Sequence, residues 1–252
     1  MAKTDLEKLA EWRTFGARHS EQTVELATRV LASGTLGDQG AYAYAVLDIP
    51  INGVLNMYPV EWAVREQLAI AALDLGRINS AVTQIDILHK QFGGSPRVRV
   101  LDGLRFEADG DATRAKAVYE RLLKDDETDV TAHQRLISLA APSSAAIPLL
   151  LSYLDTFYAD PMAWSLLAEL YCEQGLYPQA LSALGHMSII NNWDDGILRR
   201  SGEVAYTLGD YQLSLKHFLR AAEMQGGKAS NLNTSRTRTW WGIKLARRPF
   251  FI

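Results

Sequence analysis

The sequence predicts an all-α fold, namely a tetratricopeptide-repeat solenoid built from antiparallel helix pairs. Two series of small residues carry this prediction. The first consists of Ala81, Ala115, Ala146, Ala180 and Ser214. The second keeps a constant offset before four of these positions and consists of Ala69, Gly103, Ala168 and Gly202. Both series follow a period of about 34 residues, which is typical of tetratricopeptide repeats.

Each repeat is expected to be two helices that cross closely. A small residue on the first helix lets the second approach, and a small residue on the second does the same in return. Larger apolar residues at helical spacing fill the core around them. Four glycines stand where the first helix of a pair must end, namely Gly76, Gly110, Gly175 and Gly209. Glycine is common there because the backbone leaves the helix through a left-handed conformation.

The third repeat departs from this pattern. Its first helix, around residues 133–140, lacks the small residue in register, and the step from Ala115 to Ala146 is shorter than the other steps. Residues 136–154 also carry no charge over 19 positions, which is close to the length of a membrane-spanning helix. Because Pro142 and Pro148 interrupt the stretch, two short helices joined by a turn at Pro142 are favoured over one spanning helix.

Four segments are predicted along the chain. Residues 1–38 form an N-terminal helical hairpin, and residues 60–225 hold five tetratricopeptide-like helix pairs. Between them, residues 39–59 contain one charge and no helical period, which indicates an atypical insertion or loop that is exposed or peripheral. Residues 226–252 begin with a polar linker over 226–238 and continue as a truncated capping helix with a basic tail.

The C-terminal segment combines basic and aromatic residues. From Lys228 to the end it has six basic residues and no acidic one. We expect a terminal helix that covers the end of the solenoid, with Trp240 or Trp241 filling the exposed end of the core. The alternative is a surface that contacts nucleic acid or anionic lipid headgroups.

Composition and motifs argue against catalysis. With a net charge of −3 over 252 residues, the chain lacks the basic balance of a general nucleic-acid binder. Cys172 is the sole cysteine, which excludes an intramolecular disulfide and favours a reducing, cytosolic-side environment. No phosphate-binding loop, zinc-type histidine spacing or nucleophile elbow is present. The chain is therefore predicted not to be an enzyme, with no catalytic residues, no cofactor and no metal.

A protein-interaction surface remains as the predicted functional site. In stacked helix pairs the first helices line a concave groove that holds an extended peptide or a helix. The predicted partner-binding residues are Glu66, Arg97, Arg105, Glu107, Glu169, Arg199, Glu203 and Tyr206. Val100 and Leu104 are expected on the same solvent-side face. Glu66 stands at an early groove position, where its charge repels a carboxylate, so a clamp for a chaperone C-terminus is not expected.

Beyond the generic repeat, several runs resemble one family. They are EQLAIAALDLGR (66–77), HKQFGGSPRVRVLDGLRFEADGD (89–111), AVYERLLKDDETD (117–129), WSLLAELYCEQGLYPQAL (164–181) and EVAYTLGDYQLSLKHFLRAA (203–222). In this order they resemble subunit 2 of the endoplasmic reticulum membrane protein complex, over residues 3–38 and 60–245. The most specific segment is 94–107, because it includes turn and groove residues that the repeat alone does not dictate.

The resemblance implies a function that the repeats do not give. Family members are non-catalytic scaffold subunits, peripheral to the cytoplasmic face of the endoplasmic reticulum membrane. They hold the cytosolic parts of the third and fifth subunits, and an eighth/ninth-type subunit where present. The whole complex inserts tail-anchored and multi-spanning membrane proteins.

Two features depart from the family pattern. Residues 39–59 have no counterpart in it, and family members continue with further helices, so the chain resembles a fungal-type or divergent form. The alternative function is a soluble tetratricopeptide adaptor or co-chaperone that works without a membrane complex.

Overall fold

The chain is described by a computed structural model over residues 4–33, 60–141, 144–226 and 235–247. In this part of the chain there are thirteen α-helices and no strand, so the all-α fold class is confirmed. The helices are α1 (Asp5–Phe15), α2 (Ser20–Ala32), α3 (Val60–Asp74), α4 (Ile78–Phe92), α5 (Pro96–Ala108), α6 (Ala112–Asp125), α7 (Val130–Ala140), α8 (Ala146–Thr156), α9 (Pro161–Glu173), α10 (Tyr177–Ile190), α11 (Asp195–Leu208), α12 (Tyr211–Met224) and α13 (Ser235–Arg247).

The chain divides into two compact units, Met1–Leu139 and Ala140–Ile252. The boundary falls at the end of α7, inside the third predicted repeat, which is the repeat whose sequence lacks the common register. The division into four sequence segments stays a prediction. The expected insertion at residues 39–59 lies outside the described residues.

Helices in the first unit pack mainly against their neighbours in the chain. Contacts join α1 to α2, α2 to α3, α3 to α4, α4 to α5, and α5 to α6, and α3 also reaches α5. The core runs from Leu9 in α1 through Leu68 in α3 and Ile85 in α4 to Leu101 in α5. This nearest-neighbour pattern is the packing expected of repeated helix pairs.

The small residues lie where the periodicity places them. The five members of the first series are fully buried, and they fall on α4, α6, α8, α10 and α12. In the second series a Cβ atom at Gly103 would stand 2.4 Å from the ring of Tyr119, so no larger residue fits there. The Ser214 hydroxyl donates to the Gly202 carbonyl at 2.8 Å inside the corresponding crossing of the second unit. In the third repeat, the position one full period after Gly103 holds buried Ile137.

The four predicted glycine turns are confirmed. Each glycine has a positive φ, between 68° and 90°, which L-residues with side chains adopt at a cost. After α5, the Gly110 N–H donates to the Glu107 carbonyl at 3.0 Å and the Asp111 N–H to the Phe106 carbonyl at 2.9 Å. The same two-bond arrangement ends α3, α9 and α11. Each first helix therefore stops at a defined residue and the chain reverses into the second helix.

The uncharged stretch 136–154 is divided between α7 and α8, with the two helices separated by residues 141–145. Within the described ranges, no helix combines the length and the hydropathy that a bilayer crossing requires.

The C-terminal helix corrects two expectations. It begins at Ser235, so the last part of the expected linker is helical. It packs on α12 and α11, but Trp240 and Trp241 do not fill the core, and Trp241 is 56% exposed. Thr239 and Ala246 are buried instead, and Gly242 lies so close to Phe218 that a Cβ atom would stand 2.4 Å from its ring. Only small side chains let α13 approach the bulky phenylalanine.

Candidate functional site

The eight predicted partner-binding residues divide equally between the two units. In the first unit Glu66 lies on α3, and Arg97, Arg105 and Glu107 lie on α5. In the second unit Glu169 lies on α9, and Arg199, Glu203 and Tyr206 lie on α11. All eight therefore lie on first helices of predicted pairs.

In the first unit, Glu66 and Arg97 form a two-pronged ion pair between α3 and α5. Arginine Nε donates to Oε1 at 2.7 Å, and Nη2 lies 2.6 Å from Oε2. The planar guanidinium matches the two carboxylate oxygens. The Arg97 side chain is 62% exposed and the Glu66 side chain 19%, so the arginine is the more accessible member of the pair.

A small apolar cleft of about 100 Å³ lies beside this ion pair. Its walls are formed by Trp62, Leu88, Phe92, Val98 and Leu101, and the ion pair lies at its polar edge. Trp62 meets Phe92 edge to face, with ring centroids 5.3 Å apart. An apolar wall next to one exposed arginine suits an apolar side chain of a partner that also carries an acceptor group.

The Glu107 carboxylate is bonded to other residues of the first unit. It accepts a hydrogen bond from the Tyr119 hydroxyl at 2.6 Å, and Arg135 Nη1 lies 3.6 Å from its other oxygen. Tyr119 is fully buried. Burial, followed by the bond to Glu107, raises the pKa of Tyr119 well above its ordinary value. Glu107 therefore connects α5 to α6 and α7.

Arg105 and Val100 differ from the other predicted groove residues. Among the described residues, the buried Nε atom of Arg105 has no hydrogen-bond partner, and its guanidinium lies 6.0 Å from the ring of Phe106. Val100 is buried, so its predicted solvent-side position is wrong. Its side chain lies on the core side of α5.

In the second unit the charged residues also pair with each other. Arg199 donates to Glu203 at 2.8 Å along α11 and is only 16% exposed. Glu203 also accepts Arg238 of α13, with Nε 2.7 Å from Oε1. Tyr206 packs edge-on against Tyr211, with centroids 5.3 Å apart. Glu203 and Tyr206 thus join α11 to α13 and α12, whereas the Arg199–Glu203 pair stays within α11.

Glu169 pairs with an arginine that the sequence did not single out. Arg200 Nη2 donates to Glu169 at 3.0 Å, and Arg200 Nη1 donates to the Ser165 hydroxyl at 2.9 Å. Thus α11 is linked to α9, the preceding first helix. The partners Arg135, Arg200 and Arg238 were missed. Arg200 and Arg238 follow their glutamates by close to one repeat, whereas Arg135 follows Glu107 by a shorter step. For Arg200 and Arg238 the repeat spacing marks a candidate position, but it does not by itself decide which charges meet.

Outside these ion pairs, the described residues offer few side chains that could bind a metal or act as a nucleophile. In the described ranges, no group of His, Cys, Asp and Glu side chains has the arrangement of a metal site. Cys172 is half-buried, and burial raises the pKa of its thiol, which keeps it protonated and weakly nucleophilic. Burial lowers the pKa of His217, which favours its neutral form.

Comparisons with known proteins agree with this architecture. Residues 85–218 match the family model "EMC2 TPR-like repeat domain". The chain is 34% identical over 248 residues to ER membrane protein complex subunit 2-A of Xenopus laevis, covering 95% of the chain and 74% of that protein. It is 33% identical over the same length to ER membrane protein complex subunit 2 of Xenopus tropicalis. It is 30% identical over 171 residues to TPR repeat protein oca3 of Schizosaccharomyces pombe, covering 65% of the chain and 61% of that protein.

Solved structures support the fold separately. MamA 41-end from Desulfovibrio magneticus RS-1 superposes with a TM-score of 0.50 at 17% identity, covering 67% of the chain and 97% of that structure. At this identity the likeness concerns the fold alone, and it agrees with the helix pairs described above. The family model spans more than half of the chain, and the Xenopus relatives align along nearly all of it. The chain therefore belongs to the family of ER membrane protein complex subunit 2.

Proposed function

We propose that this chain is a non-catalytic scaffold subunit of the endoplasmic reticulum membrane protein complex. In this role it lies peripherally on the cytoplasmic face of the membrane. The observation that carries the proposal is the 34% identity to a subunit 2 relative over 95% of the chain. The paired charges and half-buried aromatic residues of the first helices support binding rather than catalysis.

The proposed partners are the cytosolic parts of the third and fifth subunits, together with an eighth/ninth-type subunit where one exists. By holding these parts, the scaffold supports insertion of tail-anchored and multi-spanning proteins. A repeat scaffold suits this work because its surface is long and its core needs none of the surface residues.

Arg97 is the predicted contact residue that the geometry favours most in the first unit. Its side chain is largely exposed beside the apolar cleft, and its two bonds to Glu66 orient the guanidinium. An arginine held in place loses little side-chain freedom when a partner binds. The remaining predicted residues contribute around it, and Glu169 is an exposed acidic group on α9.

A charge swap separates recognition by Arg97 from its structural role. Arg97→Glu places two carboxylates together, whereas the double variant Glu66→Arg with Arg97→Glu restores an ion pair of reversed direction. If Arg97 recognises a partner, both variants release membrane subunits when the tagged chain is purified from detergent extracts. If the pair is only structural, the double variant restores binding. Arg18→Glu is the matched control. Arg18 lies in the same unit, its side chain is 67% exposed, and it also faces a carboxylate, that of Asp74, at a distance of 3.7 Å.

The same purification tests the function itself. A stable set of membrane subunits with the unmodified chain is the expected result. Recovery of chaperones without membrane subunits would instead favour the soluble adaptor or co-chaperone.

A further inference from the structure

The second unit exposes three large apolar side chains at one end of α9 and α10. The exposed fractions are 76% for Met162, 73% for Ile189 and 86% for Trp193. Met162 lies in the first turn of α9, Ile189 in the last turn of α10, and Trp193 in the loop that follows. Because the two helices pack as an antiparallel pair, the start of α9 and the end of α10 lie at the same end. Single exposed apolar residues are ordinary, but a group at one place marks an interaction surface.

A cluster of rings lies near this end of α9 and α10. The Trp164 indole N–H donates to the Tyr158 carbonyl at 2.8 Å. His186 stacks on Trp164 with centroids 4.4 Å apart, and its Nδ1 lies 2.8 Å from the Tyr158 hydroxyl. Ile189 follows His186 by one helical turn. Met162 and Ile189 are thus carried by two helices that this cluster joins, which limits the ordering cost of binding at these two residues.

The surroundings of this surface are acidic. Residues 136–198 contain six acidic residues and neither lysine nor arginine. Four of the six lie at the same end of the helices, at the last turn of α8, the start of α9 and the start of α11. They are Asp155, Asp160, Asp194 and Asp195. We call these four together with Met162, Ile189 and Trp193 the acidic edge surface.

We propose that the acidic edge surface binds a basic amphipathic segment of a partner protein. Tryptophan supplies the apolar anchor that commonly dominates interface energy, and the aspartates attract lysine and arginine around it. The same charges repel the phosphates of nucleic acids and anionic lipids. Lysine and arginine are enriched next to membrane spans on the cytoplasmic side. The source is therefore a juxtamembrane segment of a membrane protein, an identification that rests on the proposed function.

Binding is tested with the purified full chain and a synthetic probe. The probe is a labelled helical peptide of about five turns, with leucine on one face and lysine on the other. Its fluorescence anisotropy is followed as the chain is added. We expect Trp193→Ser to weaken binding about tenfold, while Trp241→Ser, an exposed tryptophan on basic α13, leaves binding unchanged. Asp155→Lys is expected to weaken binding several-fold, and Asp109→Lys, the same charge change in the first unit, is not.

Three results would overturn the proposal. The first is equal affinity of the unmodified chain and the Trp193→Ser variant for the lysine peptide. The second is equal binding of a peptide in which glutamate replaces lysine, and the third is Trp193-dependent binding to phosphatidylserine vesicles. Circular dichroism of each variant establishes that the helices are intact. The measurement needs no other subunit, so it can succeed or fail independently of the purification that tests the proposed function.

Discussion

At the scale of single residues, the repeat depends on places that admit only small side chains. Ala115, Ala168 and Ala180 are fully buried, and Gly103 is closed by the ring of Tyr119. The packing leaves no space for a larger side chain at these positions. The size of the side chain, and not its functional groups, therefore decides which residue can stand there.

Enlarging one of these residues should destabilise the chain by overpacking. Ala115→Leu is expected to lower the free energy of unfolding by about 1–3 kcal/mol. Ala117→Leu, on the exposed side of the same helix, is the control and should change it little. Chemical denaturation measures both. An unchanged midpoint for Ala115→Leu would contradict the repeat register.

Tyr119 predicts a pH dependence. Its folded pKa is raised because burial and Glu107 disfavour the phenolate, whereas the unfolded side chain ionises near pH 10. The contribution of Tyr119 to the stability of the fold is thus complete below about pH 10. It declines above that pH, because there the tyrosine hydroxyl loses its proton in the unfolded state but keeps it in the folded state. The difference in unfolding free energy between the unmodified chain and Tyr119→Phe should narrow above pH 10. A constant difference up to pH 11 would rule out the raised pKa.

At the scale of helices, one kind of interaction determines where a helix ends, and another connects it to neighbouring helices. Glycine turns stop the first helices, whereas ion pairs such as Glu66–Arg97 and Glu169–Arg200 connect successive first helices. Ion pairs of this exposure contribute about 0–1 kcal/mol each. We expect them to favour one register between repeats over others rather than to add much stability.

The glycine turns give a prediction at this scale. Gly110→Ala is expected to cost about 1–2 kcal/mol, because φ at this residue is 80° and a Cβ atom strains that conformation. Gly94→Ala is the control, since its φ is not positive and no atom lies near its Cβ position. Thermal unfolding of the two variants should therefore differ by several degrees. Equal melting temperatures would contradict the role given to Gly110.

The helices were predictable from sequence to a larger extent than their contacts. The repeat period specifies which side of each helix is buried, and it identified both small-residue series correctly. It does not specify which charges meet, since Arg200 reaches Glu169 only once two first helices are in register. The expectation for Trp240 and Trp241 was wrong because Phe218 leaves space only for Gly242. Trp193 was missed because a loop residue has no period.

At the scale of the whole molecule, each unit has its own buried core. Leu9, Leu68 and Leu101 belong to the core of the first, and Leu167 and Leu184 are buried in the second. The division falls in the one repeat whose register is irregular.

A cavity in one unit should therefore loosen that unit first. Leu167→Ala is expected to lower stability by about 2–5 kcal/mol and to accelerate amide hydrogen exchange mainly within residues 140–226. Leu101→Ala should have the converse effect within residues 60–139. Hydrogen exchange followed by mass spectrometry measures both. Uniform acceleration along the chain in either variant would show that the units unfold as one.

The acidic, cation-free part of the second unit also determines which reagents can mark it. No lysine occurs between Lys124 and Lys216, so amine-directed cross-linkers and lysine-linked ubiquitin have no attachment point there. Trypsin likewise finds no cleavage site from 136 to 198. A partner bound at Asp155 would thus escape the usual lysine-based mapping experiments. Carbodiimide coupling, which joins a carboxylate on this surface to an amine on the partner, is the chemistry suited to capture it.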